Sequence, residues 1–181
     1  MFAAAADIYT MFANIVADVQ TNFGSNVHYE HGHLLEVVNT LGGMKKTPAF
    51  DPLRYPCIVL LQDFEEKASK DNFYKCDVSL DFLILALSSP SDVSEQRLIK
   101  VFTPVLYPIY DLFLDSIVKS GYFFSYSIND FGNSKYDRMY YGKKGLAGND
   151  SNIFGDWVDG IEINHLQLKV LKQYSYDSNI K

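Results

Sequence analysis

The stretch Asp77-Val78-Ser79-Leu80-Asp81-Phe82-Leu83-Ile84-Leu85-Ala86-Leu87 decides the fold class. Val78, Leu80, Phe82, Ile84 and Ala86 fall on one side of a period-two pattern. Asp81 takes the other side and is followed there by Leu83, Leu85 and Leu87. Successive side chains of a strand point to opposite faces, so this pattern predicts a strand that begins half exposed and ends buried on both faces.

Working outward, Tyr55-Pro56 leads into Cys57-Ile58-Val59-Leu60-Leu61-Gln62-Asp63-Phe64, a nearly continuous apolar run that predicts a second, buried strand. Residues 65–72 read as a charged, hairpin-like connection between the two. A last strand is predicted over 161–171, where Ile161 and Ile163 share one parity and Leu166, Leu168 and Val170 the other. That switch predicts a bulge at Asn164–His165, because one extra residue reverses the facing of all that follow. Tyr122-Phe123-Phe124-Ser125-Tyr126 predicts a further strand, and residues 27–30 a short extended one.

Helical spacing appears twice. Ile8, Met11, Phe12, Ile15, Val16 and Val19 mark one face of a helix over 2–20, with Phe23-Gly24-Ser25-Asn26 as its stop. Leu98, Val101, Phe102, Val105, Ile109, Leu112, Phe113 and Ile117 mark another, ending near Gly121, with Asp92 and Glu95 as its expected cap pair. Pro104 and Pro108 each remove a backbone donor, so a kink or break is expected between Phe102 and Ile109. Residues 34–41 fit either a strand or a helix, closed by Gly42-Gly43, and 44–53 reads as a loop or extended arm. The order of elements predicts an α+β domain, a mainly antiparallel sheet with helices packed on one face.

The 181 residues suit one domain, taken as 1–175 with a tail over 176–181. Hydrophobic residues make up 48%, enough for a core, and thirteen Tyr with thirteen Phe supply side chains that serve cores and interfaces alike. A net charge of −6 argues against gripping nucleic acid, which needs clustered cations to displace counterions. Cys57 and Cys76 make no zinc-ligand set and are expected to be buried thiols. Asp7 and Asp18 interrupt the N-terminal apolar stretch, so neither a signal peptide nor a membrane span is expected.

Three motifs invite chemistry. His28, His31 and His33 cluster within six residues, but their spacing matches no established ligand set. Gly142-Lys143-Lys144-Gly145 lacks the Gly-Lys-Ser/Thr of a phosphate loop. Asp63, Glu65 and Glu66 sit where a strand leaves for solvent. No catalytic, metal or cofactor-binding residue is assigned, and a metal-dependent enzyme built on the histidines is the least favoured reading. Residues 129–156 are rich in Gly, Asn, Asp and Tyr without periodicity, and a loop this long in a compact domain is usually functional. Its side chains Tyr136, Arg138, Tyr140, Tyr141, Lys143, Lys144, Leu146 and Phe154 are therefore expected at an interface. Lys45, Lys46 and Trp157 are expected there with them.

The segment 55–64 quoted above resembles a strand of a family of virion proteins from Bacteroidetes phages and prophages. The similarity continues through Phe102-Thr103-Pro104-Val105-Leu106-Tyr107-Pro108-Ile109-Tyr110, Asp137-Arg138-Met139-Tyr140-Tyr141-Gly142 and residues 145–163. The early His31-Gly32-His33-Leu34-Leu35-Glu36-Val37-Val38-Asn39-Thr40-Leu41 also fits. The element order resembles tail-terminator and tail-completion proteins. That resemblance implies a ring, hexameric in long-tailed phages and dodecameric beneath the portal of the crAss-like phages. It implies portal or adaptor and tail proteins as neighbours, and genomic DNA passing through the lumen without specific binding. Assembly in the host cytoplasm, a place in the virion neck and the absence of catalytic residues follow from the same likeness. The alternative reading is another virion structural subunit, of tail tube, baseplate or head decoration.

Overall fold

The computed structural model describes residues 7–62, 65–68, 75–126, 132–139 and 152–171. Helix α1 (Ile8–Phe23) starts at Asp7, whose carboxylate accepts a hydrogen bond from the Thr10 amide at 2.8 Å. It runs three residues past Gln20 and ends at the predicted stop, where Gly24 takes the left-handed conformation (φ 76°) that closes the last turn. Residues 2–6, the start of the predicted helix, lie outside the described residues.

The strands are β1 (His28–Gly32), β2 (Cys57–Leu61), β3 (Glu65–Ala68), β4 (Lys75–Leu87), β5 (Phe123–Tyr126), β6 (Gly132–Tyr136) and β7 (Val158–Leu171). They form one sheet with the path β1-β2-β4-β7-β5, with β3 paired to β4 and β6 to β7. Two long antiparallel strands, β4 and β7, make its spine, and each carries two shorter strands along its outer edge. β1 is the exception to the antiparallel pattern: it runs parallel to β2. A parallel neighbour needs a crossover, and the chain makes one through helix α2 (Leu34–Lys45). The predicted bulge is present. Leu80 pairs with Leu166 and Phe82 with Ile163, so Asn164 and His165 together oppose Asp81. His165 takes φ +56°, and its amide donates to Asp81 Oδ1 at 2.6 Å.

Parity along β4 separates two cores. Val78, Leu80, Phe82, Ile84 and Ala86 join Ile161, Ile163, Leu166 and Leu168 of β7 beneath the main helical layer. Leu83 and Leu85 point to the reverse face, where a smaller cluster gathers Val37 and Leu41 of α2 with Cys57, Val59, Met139, Phe154 and Val158. The expected α+β architecture is therefore present, with α1 and the second long helix layered on one face. α2 adds partial cover to the other. Leu87, expected to be buried, is half exposed because it is the last residue of its strand.

Several local expectations are corrected. Residues 34–41 form a helix, and it passes through Gly42-Gly43 to Lys45 because burial of Val37 and Leu41 outweighs the poor helix propensity of two glycines. The region 44–53 is not an extended arm: it completes α2 and then makes a 3-10 turn over Asp51–Leu53. Asp92 and Glu95 do not cap the second long helix. Gln96 Oε1 accepts from the Val93 amide instead, while the Asp92 carboxylate receives Lys100 Nζ at 2.7 Å.

No break interrupts that helix. The short α3 (Ser94–Arg97) passes into a π-helical segment (Leu98–Leu106) and then into α4 (Tyr107–Lys119). The Tyr107 amide reaches back five residues to the Phe102 carbonyl, and this wider winding accommodates Pro104 and Pro108 without ending the helix. By length and composition Ser94–Lys119 resembles a membrane-crossing helix, yet Val101, Phe102, Leu106, Ile109, Phe113 and Ile117 are spent on the main core.

The segment 129–156 is not wholly a loop. Residues 132–136 form β6 against β7, a strand whose GNSKY sequence carries no apolar alternation because its register partner, not its own side chains, specifies it. Residues 127–131 and 140–151 lie outside the described residues, as do Asp63 and the predicted tail 176–181.

Candidate assembly surface

The sequence-predicted interface residues fall into three groups. Tyr140, Tyr141, Lys143, Lys144 and Leu146 lie outside the described residues. Phe154 is not at a surface at all. It is 3% exposed and packs in the reverse-face core, because Asn152 Oδ1 accepts the Phe154 amide at 3.0 Å and turns the ring inward. Tyr136 is half buried against the same core.

The remaining four mark out real surface or its supports. Lys45 reaches across from α2 to Asp156 Oδ1 (2.8 Å) and the Gly155 carbonyl (3.0 Å). Arg54, itself buried, donates to the other Asp156 oxygen and to Asp51 Oδ1 at 2.9 Å through Nε. Burial works to raise the Asp156 carboxyl pKa, but hydrogen bonds from Arg54 and Lys45 outweigh it and leave the value lowered. This triad joins the turn after α2 to the chain entering β7. Trp157 follows directly, 40% exposed, with its carbonyl accepting the Ser88 amide at 2.8 Å. Lys46, next to Lys45 in sequence, is exposed.

The segments so joined carry Phe50 (52% exposed), Leu53, Ile153 and Trp157, and Leu87 stands at the same end of the sheet in register with Val158. Large apolar side chains left in water at one end of a well-packed domain are what a contact surface requires.

Arg138 adopts φ +56° and serves structure. Its amide donates to Asp159 Oδ1 (2.7 Å), and its guanidinium reaches Asp137 Oδ2 (2.7 Å) and the Asp92 carbonyl (3.3 Å). Asp159 meets a second partner that composition could not reveal: Arg97 Nη1, at 2.6 Å, with both side chains fully buried. On β7, Asp159 shares the inward side of Ile161 and Ile163, but it lies before the predicted start of that strand at 161, so the periodicity did not mark it. Gly160 lies between them, where a Cβ would come within 2.6 Å of Met139 Sδ and 3.0 Å of the Ile84 carbonyl.

The three clustered histidines are dispersed into separate roles. His28 Nε2 sits 3.3 Å from Glu30 Oε2, and this hydrogen bond chiefly lowers the Glu30 pKa. His31 turns to the opposite face, its ring 4.5 Å from that of Tyr9 and 5.8 Å from that of Tyr29. His33 leaves the strand to cap α2, accepting the Leu35 amide. Among the described residues no three His, Cys, Asp or Glu side chains are grouped to hold a metal ion. Cys57 is a free, fully buried thiol whose pKa is pushed up by burial.

No family model matches the chain, and no curated protein matches it in sequence.

Proposed function

We propose that this protein is a structural ring subunit of the neck or tail end of a tailed bacteriophage, a tail terminator or head-tail connector. The observation that carries the reading is the apolar end of the sheet, where Phe50, Leu53, Ile153 and Trp157 are exposed on segments tied down by the Lys45–Asp156–Arg54 triad and Leu87 is exposed in register with Val158. Large apolar side chains facing water suit permanent contact with a neighbouring portal, adaptor or tail protein. The α+β fold agrees with the architecture that the sequence resemblance implies. Size-exclusion chromatography with light scattering tests the reading: the expected result is a closed oligomer of hexamer or dodecamer mass. A chain that stays monomeric at every concentration, alone and with the portal and tail proteins, would overturn it.

In such a ring DNA passes through the lumen without being held. Sixteen basic residues stand against twenty-two acidic ones, which releases too few counterions for tight binding. A fluorescence-anisotropy titration with a short duplex should show no binding at roughly 150 mM salt. Micromolar binding under those conditions would replace the passive conduit with a DNA-gripping role.

A further inference from the structure

Among the described residues the sheet ends in two unlike open edges, and their strand directions are complementary. Among the described residues β1 has a strand neighbour only on its β2 side, and β6 only on its β7 side. In β1 the His28 amide donates to the Pro56 carbonyl, and the Gly32 carbonyl accepts from Gln62. Peptide groups alternate in direction along a strand, so those of Tyr29 and His31 turn away from the sheet. Both edge strands are five residues long and contain no proline, so every residue of each keeps its backbone donor.

Strand direction adds a second condition. β1 is parallel to β2, β2 antiparallel to β4, β4 antiparallel to β7, and β7 antiparallel to β6. β1 and β6 therefore run in opposite senses. Rotation about an axis along the strands preserves direction, so β6 of one copy meets β1 of the next as an antiparallel pair. Such a contact is head-to-tail, the type that closes into a ring.

The side chains on the helical face agree. Asn133 and Lys135 lie in register with the core residues Ile163 and Ile161, and so share the face of α4. There Asn133 Nδ2 donates to Tyr110 Oη at 3.1 Å, and Lys135 Nζ stands 4.3 Å from the Tyr107 ring centroid. With Asp111 these residues border an open groove of about 330 Å³ beside the free edge. On the corresponding face of β1 lie His31 and the partly buried rings of Tyr9 and Tyr29, with Asp7 at the start of α1. Aromatic rings beside one edge are thus matched by an aromatic-walled groove beside the other, and Asp7 is opposite in sign to Lys135.

We infer that neighbouring copies join by antiparallel pairing of β1 of one subunit with β6 of the next, continuing the sheet around the ring. This rests on the ring reading above. Hydrogen exchange on the wild-type oligomer and on diluted monomer tests it. The amides of Tyr29 and His31, and alternate amides over 132–136, should slow by roughly tenfold or more on assembly. His31→Pro removes an outward donor and should give a folded monomer, with unchanged circular dichroism but no oligomer by light scattering. A ring whose β1 and β6 amides exchange as in the monomer overturns the edge pairing and leaves the ring reading intact. A wild-type chain that never assembles overturns both.

Discussion

Asp159→Ala should lower folding stability by about 3–5 kcal/mol, the range for breaking a buried ion pair by removing one partner. Both side chains are fully buried, and the Arg97 guanidinium is wrapped by the chain around it. It donates through Nε to the Asp92 carbonyl (2.9 Å), through Nη1 to Ser88 Oγ (2.8 Å) and Asp159 Oδ1 (2.6 Å), and through Nη2 to the Ser89 carbonyl (2.5 Å). Without the carboxylate a positive charge remains in a medium that solvates it poorly, and the Arg138 amide loses its acceptor as well. Arg97→Met leaves the complementary defect, a buried carboxylate. The double variant Arg97→Met/Asp159→Leu should cost less than the sum of the single changes, because neither charge is then stranded. Urea denaturation of the four proteins measures the cycle. A loss under roughly 1 kcal/mol for Asp159→Ala, or additive single effects, would show that the pair is hydrated and not coupled.

Phe82→Ala should cost a similar amount, about 3–5 kcal/mol. Its ring is fully buried on β4, with its centroid 4.7 Å from that of Phe12 on α1 and 5.0 Å, edge-on, from that of Phe113 on α4. Phe12 and Phe113 lie 6.0 Å apart, so three rings from three elements fasten both helices to the sheet. Truncation leaves a cavity that two helices and a strand cannot jointly close without disturbing their other contacts. Phe113→Ala should behave alike. For a chain of this size the change corresponds to a fall in melting temperature of roughly 6–20 °C. A shift of a degree or two in a thermal scan would mean that the three-ring contact contributes little.

The helix α1, the long strands β4 and β7 and the bulge between Ile163 and Leu166 were legible because each is written in one segment's own periodicity. Burial of an alternating or three-four pattern leaves a single workable orientation, and the shift from Ile163 to Leu166 requires the extra residue now opposite Asp81. The candidate surface was legible only in part. Trp157 and Lys46 are exposed, as an interface requires, whereas Phe154 is core, and nothing in its neighbourhood of Gly and Asp marks it as such.

What tertiary structure alone decided are the features specified by partners distant in sequence. β6 exists because β7 offers it a ladder, and α2 remains helical across two glycines because Val37 and Leu41 have a sheet to pack on. Arg97 with Asp159, and Arg54 with Asp156, are polar residues that a sequence reading places in solvent, yet pairing allows them to be buried. The prolines of the second long helix predict a break when read locally. Burial of Val101, Phe102, Leu106 and Ile109 favours a widened π-helical winding, which keeps that apolar stripe against the sheet.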